Sequence, residues 1–306
     1  MHNNQDQPLS PRRAFISTAL KAAGAMGLLA ATDKLNAGQV WQSNNDYTVQ
    51  DIIDLILKEI PGAPFKQTVD TLKSGDGSIK VTGIVTTMFT TVDIIRQAVK
   101  WKANFIIAHE PTFYNHNDDP KWVEPNEIVM KKQALLKEHN ITVWRFHDYW
   151  HAYRPDGIMN GVLKKAGWQQ YSKSGEVIVT IPAMSLEKIV THLKTALKIQ
   201  RVKVIGDLAQ QCQRIALLPG AWGGQRQVTA AENEKPDLLI VGELQEWETA
   251  EYIRDARSIG KNISLIILGH SVSEEPGMEW LAEWLQPKLE GINVSHIASG
   301  DPFKWI

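Results

Sequence analysis

Apolar positions along the chain alternate between two spacings. Residues 49–60 carry isoleucines at helical spacing behind a capping box formed by Thr48 and Asp51. By contrast, residues 105–108 (FIIA) form a short, wholly apolar run of the kind found in buried strands. Similar runs end near residues 146, 218, 241 and 268, and helical patterns separate most of them. This alternation of strands and helices predicts an α/β fold, with a last helix at about residues 278–289.

A faint internal repeat relates the two halves of the chain. Residues 103–110 (ANFIIAHE) resemble residues 236–243 (PDLLIVGE). About thirty residues later in each half, an Asn-Ile-Thr or Asn-Ile-Ser sequence leads to His147 or His270. Two matches in the same order favour a duplicated unit. We therefore predict two similar α/β halves, residues 48–172 and 173–306, with the functional site in the cleft between them.

Composition excludes several classes of function. The 306 residues carry a formal net charge of −1, so no basic surface indicates a nucleic-acid partner. Cys212 is the only cysteine, which excludes an intrachain disulfide and a thiolate zinc site.

The N-terminal residues resemble an export signal. Arg12 and Arg13 begin a twin-arginine pattern, a weakly apolar run follows over residues 14–31, and Ala37 offers a cleavage point. This run is too short and too polar for a stable membrane span. We predict a twin-arginine signal at 1–37, a linker at 38–47 and a periplasmic location. The alternative is a disordered tail that happens to contain two arginines.

Three of the predicted strands lead into pairs of metal-competent side chains. The carboxyl ends of strands are where α/β sheets bind ligands, and a four-residue spacing places two side chains on one helical face. A single pair is more often structural, but six ionisable groups packed together without a cation would be costly. Four imidazoles and two carboxylates exceed what one tetrahedral ion needs and suit two divalent ions that share a bridging hydroxide. The pairs are His109 with Glu110, His147 with His151, and His270 with Glu274.

Other residues are weaker candidates. Asp148 rivals its neighbours as a ligand, and Glu243, the repeat partner of Glu110, is a candidate general base or a residue that supports a ligand. Residues 219–224 (PGAWGG) suit either a loop that approaches phosphate or a tight turn, and they lack the Walker lysine. The remaining histidines lack this context and are expected to be structural or superficial: His116, His139, His192 and His296.

From residue 48 to 303, these motifs resemble the Nif3-like family of dinuclear metal-centre hexameric proteins, often labelled GTP cyclohydrolase 1 type 2. The resemblance lies in AHEP at 108–111, the glycine loop at 220–224, GHSVSE at 269–274 and PF at 302–303. The family pattern is His-His-Pro, then His-x-x-x-Asp, then Gly-His-x-x-x-Glu. Here Glu110 replaces a histidine and His151 replaces an aspartate. The totals are unchanged, which resembles a compensated exchange within one site.

The resemblance implies two divalent ions per chain (Zn, Fe or Mn) and a toroidal homo-hexamer. Two divalent ions less two glutamates leave a formal surplus of about two positive charges, which favours a small anionic substrate such as a phosphate ester or nucleotide. A metal-dependent hydrolase is the first functional hypothesis. The alternatives are a metal storage or delivery protein and a scaffold whose metals hold the fold together.

Overall fold

A computed structural model gives the fold of residues 46–304 and of residue 306. The predicted export signal at 1–37 and most of the predicted linker lie outside these residues. Within the described part of the chain, no helix combines the length and apolar character needed to cross a bilayer.

Five of the described α-helices begin at a residue whose side chain caps them. Thr48 accepts the N–H of Asp51, and Asp51 accepts the N–H of Thr48, which forms the predicted capping box. Later helices are capped by the side chains of Thr91, Asn126, Asp156 and Ser185, each of which accepts one backbone N–H. In the described residues the α-helices are α1 (Val49–Leu57), α2 (Val92–Lys100), α3 (Glu127–Glu138), α4 (Asp148–Ala152), α5 (Gly157–Ala166), α6 (Leu186–Leu197), α7 (Gly224–Glu234), α8 (Glu251–Ser258) and α9 (His270–Leu285).

The strands form two five-stranded sheets. The first has the order β1-β4-β3-β2-β10 and the second the order β5-β7-β8-β9-β6. The short central strands β2, β3, β4 and β8 are buried along their whole length, as their continuous apolar runs predict. The strands are β1 (Leu72–Ser74), β2 (Ile84–Thr87), β3 (Phe105–Ala108), β4 (Thr142–Arg145), β5 (Ile178–Ser185), β6 (Lys203–Ile205), β7 (Gln211–Leu218), β8 (Leu238–Val241), β9 (Ser264–Ile267) and β10 (Val294–His296).

The two sheets confirm the duplicated α/β halves. In each sheet three central strands run parallel, and a short antiparallel strand, β1 or β6, pairs with the last of them along the chain. The sheets differ at the other edge, where β10 lies parallel to β2 but β5 lies antiparallel to β7. The pairing of the strands shifts one match of the predicted repeat by one residue. Phe105 pairs with Thr142 and Leu238 with Ser264, so His147 lies level with Gly269 and not with His270.

The halves share one core. A single buried cluster includes Phe105 and Ile107 from the first sheet together with Leu217 and Ile240 from the second. Strand β10, which comes from the end of the chain, completes the first sheet. The predicted boundary between residues 172 and 173 separates the strands of the first sheet from those of the second, except for β10. Its role as a domain boundary stays a prediction.

Helix α9 begins eight residues before the predicted start at Met278, so that prediction was wrong. The helix starts at His270 and contains Pro276 in its interior. A proline normally ends or bends a helix because it lacks an N–H, but close packing holds this one in place. Gly161 in α5 lies against the backbone of Pro276 so closely that a Cβ there would overlap it, and Trp150 Nε1 donates to Gly277 O at 3.2 Å.

Candidate metal centre

The parallel strands of both sheets end at one place, and their carboxyl ends carry the predicted ligands. After β3, the N–H groups of His109 and Glu110 continue the pairing with the first sheet by donating to Thr87 O and Met88 O. His147 is the N-cap of α4 and His151 lies one turn later. Since α9 starts at His270, Glu274 lies one turn further on the same helical face.

Each of the four predicted histidines has its Nδ1 held by an oxygen. Such an outer hydrogen bond fixes the ring and leaves Nε2 as the nitrogen available to a metal. One partner is a backbone carbonyl and three are carboxylates. The pairs are His109 Nδ1 with Phe146 O at 3.1 Å, His147 Nδ1 with Asp148 Oδ1 at 2.9 Å, His151 Nδ1 with Asp156 Oδ2 at 2.9 Å, and His270 Nδ1 with Glu243 Oε2 at 3.2 Å.

The Nε2 atoms converge on the two predicted carboxylates. His270 Nε2 lies 3.3 Å from Glu110 Oε1 and 3.2 Å from Glu274 Oε2. His147 Nε2 lies 3.8 Å from Glu110 Oε1, and His109 Nε2 lies 3.9 Å from Glu274 Oε2. The rings of His147 and His151 are 4.9 Å apart. All six predicted ligands therefore meet in one cluster.

Several atoms of this cluster have no partner among the described residues. His109 Nε2, His270 Nε2 and Glu274 Oε2 are buried and make no hydrogen bond, although His270 Nε2 and Glu274 Oε2 lie close together. An unsatisfied buried polar atom costs about 1–3 kcal/mol. Bound divalent cations would satisfy all three atoms, and nitrogen with carboxylate oxygen is a donor set that Zn, Fe and Mn accept. The residues thus fit the expected metal ions.

The ionisation states also suit a metal. Burial, reinforced by the nearby His147, holds the pKa of His109 well below its usual range, so its ring is neutral. Burial alone would lower the pKa of His270, but the carboxylates of Glu110, Glu243 and Glu274 raise it to about 12. Burial opposes ionisation of Glu110, but the imidazole of His270, 3.3 Å away, outweighs that effect and lowers the pKa of Glu110. This concentration of negative charge around one imidazole is what a divalent cation would neutralise.

The six candidate ligands divide into two groups of three. The candidate ligand atoms of His109, His147 and His151 lie within 4.8 Å of one another, as do those of His109, Glu110 and Glu274. Only Nε2 of His109 is free, so His109 can bind one ion. Assigning it to the other two imidazoles gives a histidine triad of His109, His147 and His151. The remaining three residues, Glu110, His270 and Glu274, form the carboxylate triad. Its formal charge is −2, whereas that of the histidine triad is zero.

Arg145 contacts the backbone of His109 and the side chain of Glu110, and the sequence analysis did not predict this role. Its side chain is fully buried, Nε donates to His109 O at 3.3 Å, and Nη2 lies 3.7 Å from Glu110 Oε2. Its Nη1 donates to His116 O, which ties down the segment after β3. The only sequence signal for Arg145 is its position as a charged residue between two apolar ones, Trp144 and Phe146, at the end of β4.

Asp70 organises the start of α4 and was also missed. Its Oδ1 accepts the N–H groups of His147 and Asp148 at 2.8 and 3.1 Å, and its Oδ2 accepts that of Tyr149 at 2.8 Å. Asp148, the rival ligand, instead accepts from Thr68 and orients His147. Because Asp70 lies more than seventy residues away in sequence, no local pattern could identify it as the cap of this helix.

Replacing Asp70 by alanine is expected to destabilise the metal-free protein by about 2–4 kcal/mol, because it leaves three N–H groups at the start of α4 without their acceptor. It should also weaken metal retention, since His147 would no longer be fixed. Urea unfolding and elemental analysis measure the two effects. Asp51→Ala, which removes an exposed acceptor at the start of α1, is the matched control and should retain full metal content. Equal behaviour of the two variants would refute this role.

The glycine loop packs against a candidate ligand. Gly220 adopts φ +75°, and a Cβ there would overlap the carboxylate of Glu274. At the start of α7, a Cβ on Gly224 would overlap the side chain of Glu248. A carboxylate therefore already lies against this helix start. The geometry favours the tight-turn interpretation over a phosphate-binding loop.

Glu243 and the remaining histidines lie around or away from the cluster. The side chain of Glu243 is 56% exposed, and its hydrogen bond to His270 lowers its pKa, so it is ionised. The ring of His116 lies 6.0 Å from that of His147, at the edge of the cluster. His192 donates to Ala166 O, and His296 lies 3.2 Å from Glu275, away from the two triads.

Comparison with known proteins gives a consistent result. Residues 47–302 match the family model described as Duf34/NIF3 (NGG1p interacting factor 3). A relative from Clostridium perfringens named "GTP cyclohydrolase 1 type 2 homolog" is 24% identical over 273 residues, which cover 84% of this chain and 99% of the relative. A Bacillus cereus protein related to NIF3 has a TM-score of 0.70 at 14% identity, covering 86% of this chain and 100% of its own. A Staphylococcus aureus hypothetical protein has a TM-score of 0.68 at 19% identity, with coverage of 86% and 100%. At these identities the structural likeness concerns the fold.

Proposed function

This chain belongs to the Duf34/NIF3 family, and from that premise we propose that it binds two divalent metal ions and hydrolyses a small anionic substrate. The observation that carries the proposal is the set of four histidines whose Nδ1 atoms are all anchored, which leaves their Nε2 atoms available. Those of His109, His147 and His270 lie within 3.9 Å of Glu110 or Glu274. A purely structural cluster would be expected to satisfy its buried atoms internally, whereas three ligand atoms here have no partner among the described residues.

The two triads would hold one ion each. Bound divalent ions supply Lewis acidity and an activated water near neutral pH. Glu110 and Glu274 approach both triads, at 3.8 Å from His147 and 3.9 Å from His109, so the two ions would be neighbours. The formal surplus of about two positive charges favours an anionic substrate. Zn, Fe and Mn all remain candidates because each accepts imidazole and carboxylate.

The surrounding residues have separate roles in this proposal. Asp148 and Asp156 keep two rings of the histidine triad oriented, and Arg145 offsets the charge of Glu110. Glu243 orients His270, and its ionised, half-exposed carboxylate is the proton acceptor that we propose for the reaction. The homo-hexamer is proposed from the family resemblance alone, and export to the periplasm from the Arg12-Arg13 motif alone.

A metal storage or delivery function is the second candidate. The side chains of His147 and His151 are 22% and 32% exposed, whereas those of His109 and Glu274 are almost fully buried. The histidine triad therefore opens to solvent on one side, which suits exchange of an ion with a partner as well as entry of a substrate.

Purified protein is expected to contain two metal equivalents per chain and to hydrolyse 4-nitrophenyl phosphate or its diester at least about tenfold faster than metal-stripped protein. Refilling the stripped protein with Zn, Fe or Mn should restore the rate and identify the effective ion. Full metal content without turnover of either ester, together with loss of metal to weak chelators without unfolding, would establish delivery in place of hydrolysis.

A further inference from the structure

A cavity of about 470 Å³ adjoins the histidine triad. His151 lines it, and so does Asp156, the carboxylate that orients His151. Two cations, Arg154 and Lys173, and a second carboxylate, Glu176, also line its wall. The volume lies within the range of small-molecule sites, about 300–1,000 Å³. A candidate metal ligand is therefore also part of the wall of a ligand-sized pocket.

The guanidinium of Arg154 is held in place by backbone oxygens. Its Nη1 donates to His151 O at 2.9 Å and to Tyr153 O at 3.0 Å, which holds the guanidinium beside the backbone of a candidate ligand. Among the described residues, no carboxylate lies within ion-pair distance of Arg154. Its Nε and Nη2 donors remain for an anion, and a guanidinium binds phosphate or carboxylate with two parallel hydrogen bonds. Lys173, in contrast, is 4.0 Å from Glu176.

Part of the pocket wall is apolar. Met159, Leu163 and Val177 line it together with the indole of Trp222. Trp222 Nε1 donates to Pro219 O at 2.9 Å, which fixes the ring, and the side chain is only partly buried. An aromatic ring held in this way contributes apolar surface and stacking to a bound organic group.

We propose that this pocket binds the organic part of the substrate, with the substrate's anionic group held between the metal centre and Arg154. The substrate class is then a small organic phosphate or related ester with an apolar or aromatic body, and not an inorganic anion. This inference rests on the proposed function, because it uses the same metal centre. Arg154 is a binding residue, and Trp222 determines preference for the organic group.

Binding of inorganic phosphate and of phenyl phosphate to the metal-loaded protein tests the proposal by calorimetry. Wild-type protein should bind phenyl phosphate at least about fivefold more tightly than inorganic phosphate. Arg154→Ala should weaken both ligands about tenfold, since it removes a charge-assisted pair. Trp222→Ala should abolish only the preference for phenyl phosphate, and Trp222→Phe should largely retain it.

Arg96→Ala is the matched control, because Arg96 is an exposed arginine paired with Asp93 on α2. Metal content and circular dichroism of every variant must equal those of the wild type, which separates lost binding from lost folding. If the variants bind both anions as the wild type does while 4-nitrophenyl phosphate is turned over, the pocket proposal fails and the hydrolase proposal stands. If the expected binding pattern occurs without any turnover, the pocket stands and the hydrolase proposal fails.

Discussion

Replacing His270 by alanine is expected to remove one of the two metal equivalents while the protein stays folded. His270 Nε2 lies between Glu110 and Glu274, so its loss leaves the carboxylate triad with two ligands. Removing even an outer partner of a metal ligand costs 10–100-fold in affinity, and we expect at least about 100-fold for a ligand itself. The histidine triad keeps its three imidazoles and should keep its ion.

The fold should persist because the strand before His270 does not depend on that ring. Leu265 and Ile266 in β9 are fully buried, Ile266 in the shared core and Leu265 in a separate apolar cluster, and both pair with β8. Elemental analysis and circular dichroism measure the two quantities. His270 also offsets the charge of nearby carboxylates, so His270→Asn, whose amide occupies the position of Nδ1 and retains a donor for Glu243, is the second variant. His139→Ala, at an exposed position after α3, should keep both ions. Full metal content in both His270 variants would show that His270 does not bind metal and serves only as the first residue of α9.

Exchanging the ligand types at positions 110 and 151 is expected to produce strong coupling. Glu110→His alone changes the carboxylate triad from −2 to −1, and His151→Asp alone changes the histidine triad from zero to −1. The double variant carries one carboxylate in each triad, restores the family pattern and keeps the total of −2. Since ligand type governs metal selectivity, each single change should lower occupancy and the double variant should recover more than the sum of the single effects predicts.

His147 connects the two positions. Its Nε2 lies 3.8 Å from Glu110, and its ring lies 4.9 Å from that of His151. Residues that share a partner show interaction energies of about 0.5–3 kcal/mol. Recovery should be incomplete, however, because Asp156 would face a carboxylate at position 151 instead of an imidazole at 2.9 Å. Metal titration of the four proteins gives the coupling, and purely additive losses would show that the two triads do not act as one site.

Local sequence was enough to select the six candidate ligands, because each pair is encoded within five residues at the end of an apolar run. His109 and Glu110 follow β3 directly, and a spacing of four puts His270 and Glu274 on one helical face. Parallel strands expose their carboxyl ends on one edge of a sheet, so alternating strands and helices were enough to predict that these pairs meet. The α/β class and the duplicated halves followed from the same periodicities and from the internal repeat.

Tertiary structure alone decided how the pairs are arranged and held. Helix α9 starts at His270 despite Pro276 because packing against Gly161 and hydrogen bonding from Trp150 outweigh a local preference against helix. The cap supplied by Asp70 depends on a contact made only when the chain folds back. The division into a neutral and a doubly charged triad depends on which nitrogen of His109 is already bonded to a backbone oxygen. Short-range patterns specify which residues reach a strand end, whereas their partners are chosen by contacts between segments distant in sequence.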